Sequence, residues 1–192
     1  PTNADSPRAI YEGVISNQNP SAWFKLNDGS FTNSVTSGQS LTNGGGLWDP
    51  DAFAIGNGAY SFSTNLHKLV FTNDAIGGGT GDATNQGSFT LLFKAMATKA
   101  TAKRYVLSQG TDTSTTIGNA IAVYFTNNGA LNVGVGPVEQ IILEDSNIVR
   151  GAWYYLAVTC YETRTNTNDG VRWYLGPVGS QALQAGSFAL GG

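Results

Sequence analysis

No stretch of this chain is more restrictive than Trp153-Tyr-Tyr-Leu-Ala-Val-Thr-Cys-Tyr161. Aromatic, β-branched and small apolar residues alternate along it, with neither proline nor glycine. Read with a period of two, Tyr154, Leu156, Val158 and Cys160 share one face, and Trp153, Tyr155, Ala157, Thr159 and Tyr161 the other. That pattern predicts a strand. Val171-Arg-Trp-Tyr-Leu175 repeats it, setting Val171, Trp173 and Leu175 against Arg172 and Tyr174. The polar link between the two runs ends in Asp169-Gly170, a turn signal. A long antiparallel β-hairpin is the expectation, with its more apolar face turned to a core.

Composition limits what such a hairpin can belong to. A hydrophobic share of 41% over 192 residues supplies the core of one all-β domain spanning 1–192. Only 12% of residues are charged, so the wetted surface must come from Ser, Thr, Asn, Gln and Gly, a profile common in extracellular and virion β-proteins. The net charge is −3 and the ten Lys and Arg are scattered, leaving no basic stripe to neutralise phosphates. Nucleic acid is therefore not the expected partner. No apolar run approaches the roughly 20 residues of a membrane-spanning helix, and membrane insertion is not expected. The lone Cys160 permits no intrachain disulfide and reads as a buried small hydrophobe. Pro1-Thr-Asn-Ala-Asp5 carries no leader pattern, which favours synthesis without a secretory signal.

Along the chain, Ser6-Pro7 predicts the start of one short helix, stopped by Asn17-Gln-Asn-Pro20. Strands are expected at Ser21–Leu26 around Trp23, near Ser40-Leu41, at Ala59–Ser63 and at Lys68–Phe71, with the rest of 29–58 as loop. Ser88–Met96 alternates with Phe89, Leu91, Phe93 and Ala95 on one face, and Arg104–Ser108 is expected to pair with it. Ile121–Phe125 and Leu131–Val135 flank Asn127-Asn-Gly129 as a second hairpin, followed by a strand at Glu139–Leu143 and a turn at Asp145–Asn147. A last strand begins at Ser187–Leu190.

Pro20-Ser-Ala-Trp-Phe-Lys-Leu26, Ala59-Tyr-Ser-Phe-Ser63, Phe89-Thr-Leu-Leu-Phe93 with Val106-Leu-Ser-Gln-Gly110, Trp153–Thr159 and Trp173-Tyr-Leu-Gly-Pro177 follow one another in a familiar order. Together they resemble the strands of laminin G-like domains, members of the concanavalin A-like lectin/glucanase group. The resemblance implies an all-β, two-sheet antiparallel jelly-roll sandwich with one short N-terminal helix. Family domains continue into a closing strand, so the resemblance also implies a fragment, a shortened variant or a sandwich completed by another chain.

Catalytic members of that group set paired carboxylates two residues apart on one strand. Here the four glutamates, Glu12, Glu139, Glu144 and Glu162, form no such pair, and Glu139 and Glu144 read as solvated strand ends. His67 is the only histidine, no nucleophile elbow accompanies it, and Gly77–Gly81 lacks the Lys-Ser/Thr of a phosphate loop. Catalysis is not expected. The resemblance implies a rim Ca²⁺ site, for which Asp49 and Asp51 have the best local spacing and Asp74, Asp82 and Asp112 are further candidates. Trp48, beside both aspartates, reads either as a sugar-stacking platform or as packing, and Tyr155 belongs to a second candidate ligand surface. Trp23, Trp153 and Trp173 are expected in the core.

These features converge on a non-catalytic recognition or structural module on a virion or extracellular surface. Its expected partners are surface glycans and other subunits, most simply further copies of itself. The competing reading is a carbohydrate-binding module cut from a larger secreted polysaccharide-degrading enzyme.

Overall fold

A computed structural model of the chain describes residues 13–20, 22–26, 29–35, 39–50, 58–64, 68–70, 87–96, 101–109, 112–113, 116–117, 121–135, 138–161, 170–180 and 182–189. Its contacts divide the chain into two compact units, Pro1–Ala75 and Ile76–Gly192.

In the first unit, residues 13–16 form a helical turn closed by the Asn17 amide on the Gly13 carbonyl at 3.1 Å. The expected start at Ser6-Pro7 lies outside the described residues. Of the strand expected at Ser21–Leu26, the described residues 22–26 make a single bridge, Phe24 opposite Asn33. Leu26 takes a positive φ of 51°, which turns the chain out of the extended conformation a ladder needs. Four three-residue strands follow: β1 (Thr42–Gly44), β2 (Leu47–Asp49), β3 (Ala59–Ser61) and β4 (Lys68–Val70). β1 pairs with β4 and β2 with β3, both antiparallel. The strand expected at Ser40-Leu41 thus begins at Thr42, and Leu47–Asp49, expected as loop, is a strand. Asn43 drives this local arrangement, because its side-chain oxygen accepts the Gly45 and Gly46 amides at 3.1 and 2.7 Å and turns the chain.

The second unit holds two four-stranded antiparallel sheets. Its strands are β5 (Gly87–Lys94), β6 (Arg104–Gln109), β7 (Asp112–Thr113), β8 (Thr116–Ile117), β9 (Ile121–Phe125), β10 (Leu131–Val135), β11 (Val138–Leu143), β12 (Trp153–Tyr161), β13 (Gly170–Pro177) and β14 (Gln184–Ala189). One sheet runs β14-β13-β12-β5 and the other β11-β10-β9-β6, while among the described residues β7 and β8 pair with each other alone. The β12–β13 hairpin forms with the expected faces: Leu156 lies opposite Leu175 and Val158 opposite Trp173, all four buried.

Arg104–Ser108 was expected beside Ser88–Met96, but β6 joins the other sheet, with Leu107 opposite Val123. The place beside β5 goes to β12, which sets Tyr154, Leu156 and Val158 against Phe93, Leu91 and Phe89. That match buries more apolar surface than a strand opening on Arg104 can offer.

The two sheets share one core. Phe93 of β5 meets Phe125 of β9 edge to face, their centroids 6.2 Å apart. Val123, Val133, Leu156 and Val171 are fully enclosed within it. Cys160 lies there as a buried thiol, as its position on the apolar face predicts. At the β9–β10 turn Gly129 has φ 90°, and a Cβ there would collide with the Asp145 carboxylate. Asp145 in turn holds Arg150, whose guanidinium also donates to the Gly129 carbonyl at 3.2 Å. The all-β expectation is met at the level of several antiparallel sheets, two of which pack as a β-sandwich-like body.

Candidate ligand-binding face

Alternation along β12 and β13 leaves one set of side chains pointing away from the core of the second unit. On this outer face Trp153, Tyr155, Ala157 and Thr159 of β12 stand opposite Lys94, Leu92, Thr90 and Ser88 of β5. Across the other flank Ala157 faces Tyr174 and Thr159 faces Arg172. Tyr155 is half-buried, Tyr174 is 45% exposed, and Arg172 is exposed. Ser88 donates to the Thr159 hydroxyl at 3.2 Å, fixing two small hydroxyls on the same face, next to Arg172. Gly176 stands opposite Tyr155, and Leu183 reaches over the glycine.

The chemistry of this face is uniform. Rings with an apolar surface and a polar tip sit among hydroxyls and two cations, and among the described residues of its four strands there is no carboxylate. Such a surface suits a neutral polyhydroxylated ligand that offers C–H groups to the rings and hydroxyls to the rim. Tyr155 was legible as a surface candidate from the sequence. Tyr174 and Arg172 carry no binding motif in the sequence, and only the alternation of β13 marks them as facing away from the core.

The outer face of the other sheet is built differently. Tyr124 of β9 is fully buried and stands opposite Tyr105 and Asn132. Its hydroxyl donates to the Glu139 carboxylate and accepts from Asn132 Nδ2 at 3.1 Å. Lys103 Nζ donates to the other Glu139 oxygen at 2.9 Å and lies 4.4 Å from the Tyr124 ring centroid. Burial works against the Glu139 charge, but the bonds from Lys103 and Tyr124 outweigh it and hold the carboxyl below its ordinary value. Lys103 likewise overcomes its own burial through Glu139 and Tyr124 and is raised. Burial, then the bond to Glu139, pushes the Tyr124 phenol up. Glu139 is therefore not simply a solvated strand end but one member of a closed network. These groups are 15 and 36 residues apart in sequence, and no local pattern connects them.

The first unit holds the remaining expected residues. Trp48 sits on β2, not in a loop, with its ring 5.3 Å from that of Tyr60 and half-buried. Tyr60 also contacts Phe31 at 4.7 Å and donates its hydroxyl to the Gly29 carbonyl at 2.9 Å. Gly58 leaves room for the indole, since a Cβ there would lie 2.8 Å from Trp48 Cη2, and Gly29 packs against the ring. Asp49 is exposed opposite Ala59. Asp51, Asp74, Asp82 and His67 lie outside the described residues, and with Asp51 the expected Asp49–Asp51 pair. Among the described residues no three His, Cys, Asp or Glu gather as metal ligands. Trp23, expected in a core, is half-buried instead and lines an open cleft of about 440 Å³ with Ser16, Asn19, Pro20, Ser34 and Val35. Lys25 Nζ lies 4.7 Å from the centroid of its ring.

Comparison of the chain with known protein families, with curated proteins and with solved structures finds no match.

Proposed function

We propose that this chain is a non-catalytic glycan-recognition module displayed in several copies on a virion or another extracellular surface, built on a laminin G-like, concanavalin A-like jelly roll. The observation that carries the reading is the outer face of β12 and β13, where Tyr155 and Tyr174 stand exposed or half-exposed beside Arg172, Thr159 and Ser88. Stacking on the rings holds a sugar through its C–H face, and the hydroxyls and Arg172 select among its hydroxyl patterns. The sparsely charged, Thr-, Ser- and Asn-rich composition fits a protein working outside cells. The non-catalytic part is supported by how the carboxylates are occupied: Glu139 is bound to Lys103 and Tyr124, and Asp145 to Arg150.

A glycan array probed with the purified chain tests the proposal. Retention of a discrete set of neutral or weakly acidic glycans is expected, with no change in the glycan after prolonged incubation. An array without hits contradicts glycan recognition, and release of shortened saccharides contradicts the non-catalytic role. Hits confined to insoluble structural polysaccharides would favour a module of a polysaccharide-degrading enzyme instead.

A further inference from the structure

Among the described residues the two four-stranded sheets end in four edge strands: β5, β14, β6 and β11. An edge is a row of unpaired amides and carbonyls, and proteins commonly blunt it with charges, proline or bulges. β6 carries Arg104 and an irregular register, β11 carries Glu139 and a register shift, and β5 ends on Lys94. β14, Gln-Ala-Gly-Ser-Phe-Ala, has none of these devices and runs in unbroken register with β13 from Gln184 to Ala189. No charged residue occurs anywhere in 173–192. Among the described residues β14 pairs with β13 alone.

We infer that β14 is the self-association edge of the protein, pairing antiparallel with β14 of a second copy around a two-fold axis centred on Ser187. The inference builds on the multi-copy reading above and names the surface that makes it. A two-fold axis perpendicular to the sheet is the one that sets two copies of a strand antiparallel and side by side. It keeps the core-facing side chains of both copies on one side, so residues pair only with partners of the same parity. Centred on Ser187, the register places Ala185 opposite Ala189, Gly186 opposite Phe188 and Ser187 opposite itself. No bulky pair collides and no charges meet, and Gly186, which the Trp173 ring of its own sheet already covers, takes Phe188 of the second copy as its opposite. Centred on Gly186, two glycines would meet at the axis, where neither offers a side chain to pack.

The product is one continuous eight-stranded sheet. Because the axis is perpendicular to it, the Tyr155–Tyr174 faces of both copies point the same way. Five strand spacings separate β12 from its symmetry mate, about 24 Å. The dimer therefore presents two glycan platforms to one surface, and avidity follows without any new contact.

Sedimentation velocity on the purified full chain tests this, with two substitutions on the exposed outer face of β14. The wild type is expected at twice the 20.1 kDa chain mass. Ser187→Lys sets two ammonium groups directly opposite each other and should weaken dimerisation by about tenfold or more, with the far-ultraviolet circular dichroism unchanged. Ser187→Cys brings two Cα atoms to about 4.5–5.5 Å, within disulfide range, and should cross-link under mild oxidation. A wild type that stays monomeric at high concentration overturns the inference, as does a dimer that Ser187→Lys leaves intact and Ser187→Cys does not trap. A monomer that still binds glycans would sink the pairing alone, whereas a dimer that binds none would sink the recognition function and leave the pairing standing.

Discussion

The two sheets of the second unit turn opposite kinds of outer face to their surroundings. On the β6–β9–β10–β11 side, Tyr124 is enclosed and its hydroxyl, the Glu139 carboxylate, the Lys103 ammonium and the Asn132 amide bond one another. On the β5–β12–β13–β14 side, Tyr155, Tyr174 and Arg172 stand among short hydroxyl side chains. Both faces are rich in tyrosine, so composition does not separate them. The difference lies in the tyrosine hydroxyl and the charges: those of Tyr124, Glu139 and Lys103 bond one another, although Asn132 Oδ1 beside them stays buried without a partner. A closed network contributes to stability and offers little to a ligand, while the open aromatic face adds little to stability and keeps its rings for a partner.

The core common to both faces sets the scale of the largest effect. Leu156 is fully buried between the sheets, and Leu156→Ala should cost about 2–5 kcal/mol in a urea titration, loosening both faces together. Tyr124→Phe is the sharper comparison. It removes one hydroxyl and leaves Asn132 and Glu139 each short of a partner, for an expected loss of about 1–3 kcal/mol with glycan binding unchanged. Equal binding losses from Tyr124→Phe and Tyr155→Ala would erase the distinction between the faces.

The same network fixes the pH response. Glu139 is held below its unfolded value, so its contribution is present above that value and is lost as pH falls below about 4. Lys103 and Tyr124 are raised, so theirs are present below their unfolded values and are lost as pH climbs past about 10. Melting temperatures recorded across this range should fall at both ends, and Tyr124→Phe should flatten the alkaline limb. Equal limbs in wild type and variant would show that the network does not carry the dependence. The smallest expected effect on folding belongs to the open face: Tyr174→Ala should change stability by no more than about 0.5 kcal/mol, because its side chain is exposed.

How much of this was legible follows from how local each signal is. The β12–β13 hairpin was readable because nine alternating residues encode both its strand and its buried face. Its partner was not. Arg104–Ser108 follows β5 closely in the chain, and sequential neighbours commonly pair, yet the better apolar match came from β12, some sixty residues on. In the first unit the strands are three residues long and set by turns such as that of Asn43, too short for periodicity to register. Trp48 shows the limit for sites: its neighbours Asp49 and Asp51 suggested a loop platform, while the contacts that define its surroundings, Tyr60 and Gly29, come from elsewhere in the chain. Tyr155 was found because alternation turned it outward, and the same rule would have found Tyr174.

Calorimetric titration of an array-positive glycan into wild type, Tyr155→Ala, Tyr174→Ala and Tyr124→Phe separates the two faces most directly. About a tenfold loss of affinity is expected for each open-face variant and an unchanged constant for Tyr124→Phe; wild-type affinity retained by both Tyr155→Ala and Tyr174→Ala would contradict glycan recognition on this face.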